Sequence, residues 1–244
     1  MGKRGRKPVY REITCPSCGS NHVVKKGKVR GKQEYLCRNC GRQFLEGAKH
    51  RYDKSVREKA LEMYSNGMSM RAISRVLQVP LGTVFTWIKR YGKKKYEKIV
   101  ELWSKARNVV GEGVKVVDEM WTYLKRNKKA FYKWVFTGFV FSSKGMYVSF
   151  SVGDRDEKAF NGLRQYLPEK GTWVTDDYNL YFLLPQHTVV SPVNPNESLH
   201  SSLRDRLVRF KRATKAINRS LEIMKYSLAL VLWERGLVPE FVPS

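Results

Sequence analysis

Residues 114–124 read VKVVDEMWTYL, a β-branched run from Val114 to Val117 that meets two adjacent carboxylates, Asp118 and Glu119. Upstream the apolar residues recur at helical spacing, and from here on they run in the short apolar blocks of strands. Residues 131–141 and 146–152 are two further strand candidates, joined by Ser142-Ser143-Lys144-Gly145, a hairpin turn by composition. Residues 156–166 carry Ala159, Phe160 and Leu163 on one helical face. Residues 173–176 form a fourth strand, again ending on a carboxylate, Asp176. Residues 188–191 are a fifth, and a long basic helix is expected over 196–215.

Three antiparallel-type strands, helix, strand, short helix, strand, helix is the order of a ribonuclease H-like domain. With the first and fourth strands side by side, Asp118 and Asp176 meet at one sheet edge, and Glu197 closes the site from the following helix. Three converging carboxylates are hard oxygen ligands for divalent cations, here Mg²⁺ or Mn²⁺. Two such ions suit in-line phosphoryl transfer. Arg204 shares a helical face with Glu197 and Ser201 and is placed to steady a phosphate or the acidic cluster. Glu119 beside Asp118, and Asp177 beside Asp176, leave each position open by one residue; Asp118 and Asp176 are preferred as the last residues of their apolar runs. Glu222 is a back-up. Trp121 and Tyr123, which follow, are either core or DNA-stacking groups.

Two further units precede this region. Cys15-Pro16-Ser17-Cys18 and Cys37-Arg38-Asn39-Cys40 are CxxC pairs 18 residues apart, with Gly19 and Gly41 behind them. Four thiolates at this spacing point to one structural Zn²⁺ held by Cys15, Cys18, Cys37 and Cys40. Lys25, Lys26, Lys28, Arg30 and Lys32 between them form a phosphate-contacting finger. Residues 55–66 then read as a helix stopped by Gly67. Ser69 caps a short second helix, and Pro80 opens a third with Val84, Trp87 and Ile88 inward. That is the helix-turn-helix arrangement, with Thr83, Thr86, Lys89 and Arg90 facing outward toward a major groove.

Charge distribution agrees with a polyanionic partner. The 244 residues carry 47 basic and 22 acidic side chains, a net of +25, and 18 of those excess charges fall in residues 1–98. Hydrophobic residues make up 42%, so the chain has material for a core and is no disordered basic tail. No apolar run approaches the roughly 18 residues of a membrane span, and the basic start at residues 3–7 has no apolar stretch behind it. A soluble, cytoplasmic, nucleoid-associated protein of prokaryotic type is expected. The reading is multidomain: a zinc ribbon over 1–50, an all-α helix-turn-helix domain over 51–92, a basic linker or helix over 93–110, and an α/β ribonuclease H-like domain over 111–244. The break is placed at Gly92, where the Lys-rich run KKKYEK follows.

With both CxxC pairs, the helix-turn-helix, VVDEMWTYL, WVTDDYNLY and NESLHSSLRDRLVRF in place, the chain resembles transposases of the insertion-sequence-one family over nearly its whole length. Bacterial members often have Gly where this chain has Asp177. The resemblance implies a DDE transposase in single-chain form, with Asp118, Asp176 and Glu197 as the catalytic carboxylates. It implies binding to terminal inverted repeats, metal-dependent DNA cleavage and strand transfer into target DNA, and a homodimer or higher assembly on DNA. Two other readings are a non-catalytic DNA-binding regulator with the same N-terminal units and a nuclease unrelated to transposition.

Overall fold

The computed structural model describes residues 13–47, 52–126, 129–191, 193–211 and 218–242, and the chain divides into two compact units, Met1–Ser55 and Val56–Ser244. In the first, β1 (Val23–Val29), β2 (Lys32–Cys37) and β3 (Gln43–Leu45) form an antiparallel sheet in the order β1-β2-β3. The hairpin between β1 and β2 is tighter than its polar composition suggests, since only Arg30 and Gly31 lie outside the strands. The buried core is small: Cys15, Tyr35, Cys37 and Phe44, flanked by Ile13 and Val23, with Tyr35 stacked on Phe44 at 5.7 Å. So few apolar side chains cannot offset the chain entropy of folding unaided.

The second unit opens on α1 (Lys54–Ser65), α2 (Met70–Val76) and α3 (Leu81–Val110). Ser69 caps α2 by accepting from the Ala72 N–H at 3.2 Å. Pro80 precedes α3, where a missing N–H costs nothing. Ala60, Tyr64, Ile73, Val79, Val84 and Ile88 are buried, while Trp87, expected inward with the last two, is half-buried. The expected break at Gly92 does not occur: α3 runs on for 30 residues through the Lys-rich stretch. Gly92 is instead the point where α3 crosses the C-terminal helix α6 (Leu221–Glu234). A Cβ there would sit 2.6 Å from Tyr226 Cβ and 2.8 Å from the Tyr226 carbonyl oxygen. The Gly92→Ala chain is therefore expected to lose about 1–3 kcal/mol through overpacking, despite alanine's better helix propensity. A lowered midpoint in chemical denaturation checks this, and unchanged stability would mean the crossing is loose.

Beyond α3 come β4 (Val114–Arg126), β5 (Lys129–Ser142), β6 (Gly145–Gly153), α4 (Glu157–Arg164), β7 (Trp173–Thr175), β8 (His187–Val189) and α5 (Asn194–Arg206). The five strands form one sheet in the order β6-β5-β4-β7-β8. The first three pair antiparallel, while β4, β7 and β8 pair parallel. Neighbouring residues of a strand point to opposite faces. Phe136 meets Phe160 of α4 at 6.2 Å, whereas Thr137 bonds His200 of α5, so α4 and α5 cover opposite faces of the sheet. The outer edge of β6 is closed by the Trp103 indole N–H, which donates to the Val148 carbonyl at 2.8 Å, and by the Leu237 carbonyl, which accepts from Val148 N–H. α6 is apolar almost all round and buried from Ile223 to Leu232 apart from half-exposed Lys225. No helix of the described residues is long and apolar enough to cross a membrane.

Three expectations need correction. β4 continues eight residues past Asp118, so this carboxylate lies mid-strand rather than at a strand end. The helix expected over 196–215 ends at Arg206, and a short 3-10 turn, Val208–Phe210, follows; residues 212–217 lie outside the described residues. Glu222, the back-up carboxylate, lies in the first turn of α6, where it pairs with Lys89 at 3.3 Å, and is not among the clustered acidic residues.

Candidate functional site

The parallel register that pairs Lys115 with Trp173 and Val116 with Val174 places Asp118 across from Asp176. β7 ends at Thr175, so the two strands part where the carboxylates begin. Carboxylate oxygens of Asp118, Glu119 and Asp176 all lie within 4.8 Å of one another. The Asp118 carboxyl is 15% exposed and its Oδ1 accepts from the Glu119 N–H at 2.7 Å. Burial, and then the charges of Glu119, Asp176 and Glu197, push its pKa up to about 7 against the single opposing backbone hydrogen bond. Crowding of this kind is relieved by a cation, and the all-oxygen donor set suits a hard divalent one.

Glu119 is differently placed. Its Oε1 accepts from Arg155 Nε at 2.9 Å and Nη2 at 2.5 Å, and its Oε2 accepts from the buried Tyr181 hydroxyl at 2.6 Å. Both oxygens are thus engaged by the protein. Asp118 and Asp176 are the freer donors, although Asp176 Oδ1 also accepts from the Tyr178 N–H at 3.1 Å. Asp177 is exposed. Glu197 is also exposed, in the first turn of α5. It acts electrostatically on Asp118 but is not among the three clustered carboxylates.

The face of α5 that reaches the cluster is not the one carrying Glu197, Ser201 and Arg204 but the one carrying Asn196, Leu199, His200 and Leu203, all buried. His200 Nδ1 lies 3.6 Å from Asp118 Oδ2, and its Nε2 bonds the Thr137 hydroxyl at 2.7 Å. Asn196 Nδ2 donates to both the carbonyl and the hydroxyl oxygen of Thr137 at 2.9 Å. Burial, reinforced by Arg204, holds the His200 pKa down at about 3, so the ring is neutral and lies beside Asp118 without neutralising it. Arg204 itself is half-buried one turn beyond His200. The sequence reading missed Asn196, His200, Arg155 and Tyr181. The first two carried a signal, two polar residues four apart on a leucine-lined face.

In the first unit the four cysteine sulfurs lie within 4.8 Å of one another. Cys15–Cys40 and Cys18–Cys37 are each 3.6 Å apart. That is far beyond a disulfide bond of about 2.05 Å and close to the roughly 3.8 Å edge of a tetrahedron with 2.3 Å metal–sulfur bonds. The two knuckles repeat one another. Gly19 N–H donates to the Cys15 carbonyl and Gly41 N–H to the Cys37 carbonyl, both at 2.9 Å, with φ of 73° and 71°. Such positive φ values favour glycine. Burial disfavours the Cys37 thiolate, but N–H groups of Cys40 and Asn39 outweigh it and bring the pKa to about 7. The donor set fits Zn²⁺. Lys25, Lys26, Lys28, Arg30 and Lys32 are all exposed.

On α3, Thr86 and Arg90 are exposed and Thr83 is half-buried. The Thr86 hydroxyl donates back to the Gly82 carbonyl at 2.7 Å, and Lys89 is engaged by Glu222. Val76, which helical spacing with Ile73 and Leu77 places on the inner face of the second helix, is instead exposed on α2, as are Leu81 and Phe85 in the first turns of α3.

Residues 51–98 match the family model of a homeodomain-like domain. The chain thus carries a helix-turn-helix domain of this class, followed by a mixed α/β sheet region. Among solved structures, a pre-cleavage Mos1 transpososome aligns over 78% of this chain and 79% of its own, at 8% identity and a TM-score of 0.23. The Mos1 strand transfer complex aligns over 78% of each chain, at 10% identity and a TM-score of 0.21. Likeness at these scores defines no common architecture.

Proposed function

We propose that the chain is a DDE-type DNA transposase of the insertion-sequence-one kind, built on a ribonuclease H-like sheet. The observation that carries this is the parallel pairing of β4 with β7, which brings Asp118 and Asp176, 58 positions apart in sequence, to one sheet edge. The strand order β6-β5-β4-β7-β8, with three antiparallel strands and two parallel ones, is the order a ribonuclease H-like domain requires.

In this reading Asp118 and Asp176 hold Mg²⁺ or Mn²⁺, with Glu197 completing the set from the exposed start of α5. The ions supply a nucleophile at neutral pH and charge stabilisation for in-line phosphoryl transfer. Glu119 anchors Arg155 beside the cluster, where the guanidinium faces the phosphate path. His200, Asn196 and Thr137 hold Asp118 in place. Zn²⁺ on Cys15, Cys18, Cys37 and Cys40 is structural, since four protein ligands leave no open position. The homeodomain-like segment binds the element's inverted repeats through Thr83, Thr86, Lys89 and Arg90, with the basic ribbon residues on phosphates. Two chains on two DNA ends, and then the target duplex, complete the assembly.

Two observations favour a second reading, a DNA-binding regulator without chemistry: Glu197 stands outside the carboxylate cluster, and Glu119 is already paired with Arg155. The test is incubation of the purified chain with duplexes carrying the inverted repeats that flank its coding sequence, in Mg²⁺ or Mn²⁺. Cleavage at the repeat ends followed by joining of the new 3′ ends to a second duplex is expected. Binding without cleavage would establish the regulator reading, and cleavage without joining a nuclease.

A further inference from the structure

Beyond Trp134 the sheet narrows to two strands. β6 has ended at Gly153, opposite Trp134, and β7 has left β4 at Val116. β4 and β5 continue as a ribbon through the pair Arg126–Lys129, joined on the outer side, among the described residues, by a bridge from Leu124 to Asn218. Its two faces differ. Met120, Thr122 and Leu124 are buried, whereas Trp121 and Tyr123 are half-buried and Tyr132 is 60% exposed. The register pairs Trp121 with Trp134 and Tyr123 with Tyr132, so these four rings share one face. Trp121 lies 5.2 Å from Tyr123 and 5.5 Å from Tyr132, and Tyr123 lies 5.3 Å from Tyr132.

The aromatic row does not stop at the ribbon. Arg155 lies over the Trp134 ring at 4.5 Å and over the Tyr178 ring at 3.9 Å. The same guanidinium bonds Glu119, and the Tyr178 N–H bonds Asp176. A continuous path of π faces and cations thus leads from Tyr132 to the carboxylate cluster. Residues 121–134 contain five aromatic and five basic residues and no acidic one. A protein-docking face of the apolar kind has no need of that charge, whereas a polyanion with flat groups does.

We propose that this ribbon face is a stacking platform for unpaired nucleotides of a DNA end, holding the single strand next to the acidic cluster. Base pairs in a duplex present their edges, so only unpaired bases offer the ring faces that Trp121, Tyr123 and Tyr132 would stack against. Lys125, exposed on the same strand face and paired with Ala130, would track the phosphates. The inference rests on the transposase reading for the identity of the strand, but its test does not depend on cleavage.

The experiment compares the full, zinc-loaded chain on a blunt duplex and on the same duplex with a four-nucleotide 3′ overhang carrying 2-aminopurine, with magnesium and manganese omitted. The wild-type chain is expected to bind the overhang duplex about tenfold more tightly and to quench the probe, as one stacked base would give. Tyr132→Ala should lose most of that preference, Tyr132→Phe should retain it, and blunt-duplex binding should be the same in all three. Tyr132 is exposed enough that its loss leaves the fold intact, and a matching circular dichroism spectrum checks this. An equal affinity of the wild type for both duplexes, or an undiminished overhang preference in Tyr132→Ala, overturns the proposal. Overhang binding by a chain that never cuts would sink the transposase reading alone, while cutting without overhang preference would sink the platform alone.

Discussion

Asp118→Asn is expected to abolish metal-dependent cleavage, by a factor on the order of 10³ or more, while leaving binding to the inverted repeats unchanged. The amide keeps the shape of the side chain and its acceptor oxygen for the Glu119 N–H, but it lacks the charge that retains a divalent cation. Loss of several kcal/mol of charge stabilisation corresponds to a rate loss of that order. The same substitution is expected to stabilise the metal-free fold. Asp118 titrates at about 7 in the folded chain against an ordinary value of 3.8, so the folded state holds this proton more tightly than the unfolded chain does. Metal-free stability is therefore lost as pH rises from about 4 to about 7 and is flat above that. A shift of about three units sets an upper bound near 4 kcal/mol, and partial access to water lowers it to about 2. Denaturation of both chains in chelator at pH 5 and pH 8 measures this. Equal pH dependence in wild type and Asp118→Asn would show that the carboxyl is not under the strain its surroundings impose. Loss of repeat binding in step with cleavage would make Asp118 a structural residue.

Removal of zinc is expected to have the largest effect on stability. A tetrathiolate site contributes on the order of 10 kcal/mol to a folding unit, and among the described residues of the ribbon Tyr35 and Phe44 are the buried apolar side chains besides two of its cysteines. Cys37→Ser should release the metal and unfold residues 13–47. Heat-denaturation of the second unit should be unaffected, since its core is built around α6 and Trp103. Zinc content by mass spectrometry and amide protection in β1–β3 are the measurements. Stoichiometric zinc in a Cys15→Ser, Cys37→Ser chain would rule out the four-sulfur assignment.

The sheet and the cysteine knuckles could be read from local pattern because their determinants are local: alternating apolar residues, glycine after each CxxC, a polar hairpin. What stayed hidden depends on distant partners. Gly92 followed by lysines has the composition of a linker. In the folded chain the glycine is the contact surface for Tyr226, 134 residues on, and Lys93 and Lys105 pair along the helix with Glu97 and Glu101. Asp118 was preferred over Glu119 as the last residue of an apolar run, yet β4 runs on past both. What separates the two carboxylates is Arg155 and Tyr181, 36 and 62 residues away, which take up both oxygens of Glu119. On α5 the spacing of Glu197, Ser201 and Arg204 describes a real helical face, but the adjacent face, about 100° round the helix and carrying Asn196 and His200, turns toward the sheet.

The uninterrupted α3 has a geometric consequence. Its first turns belong to the homeodomain-like segment and its Trp103 is fastened to the edge of β6. Thirty residues of helix form a rod of about 45 Å, pinned to α6 at the Gly92 crossing. Such a rod fixes both a length and a phase. In the proposed function, the offset between the bases that the first turns would contact and a phosphate brought to Asp118 would then be one constant for the molecule, in base pairs and in groove angle alike. Inserting a single alanine between Gly92 and Trp103 would rotate one end against the other by about 100°, which on DNA is a displacement of nearly three base pairs around the duplex.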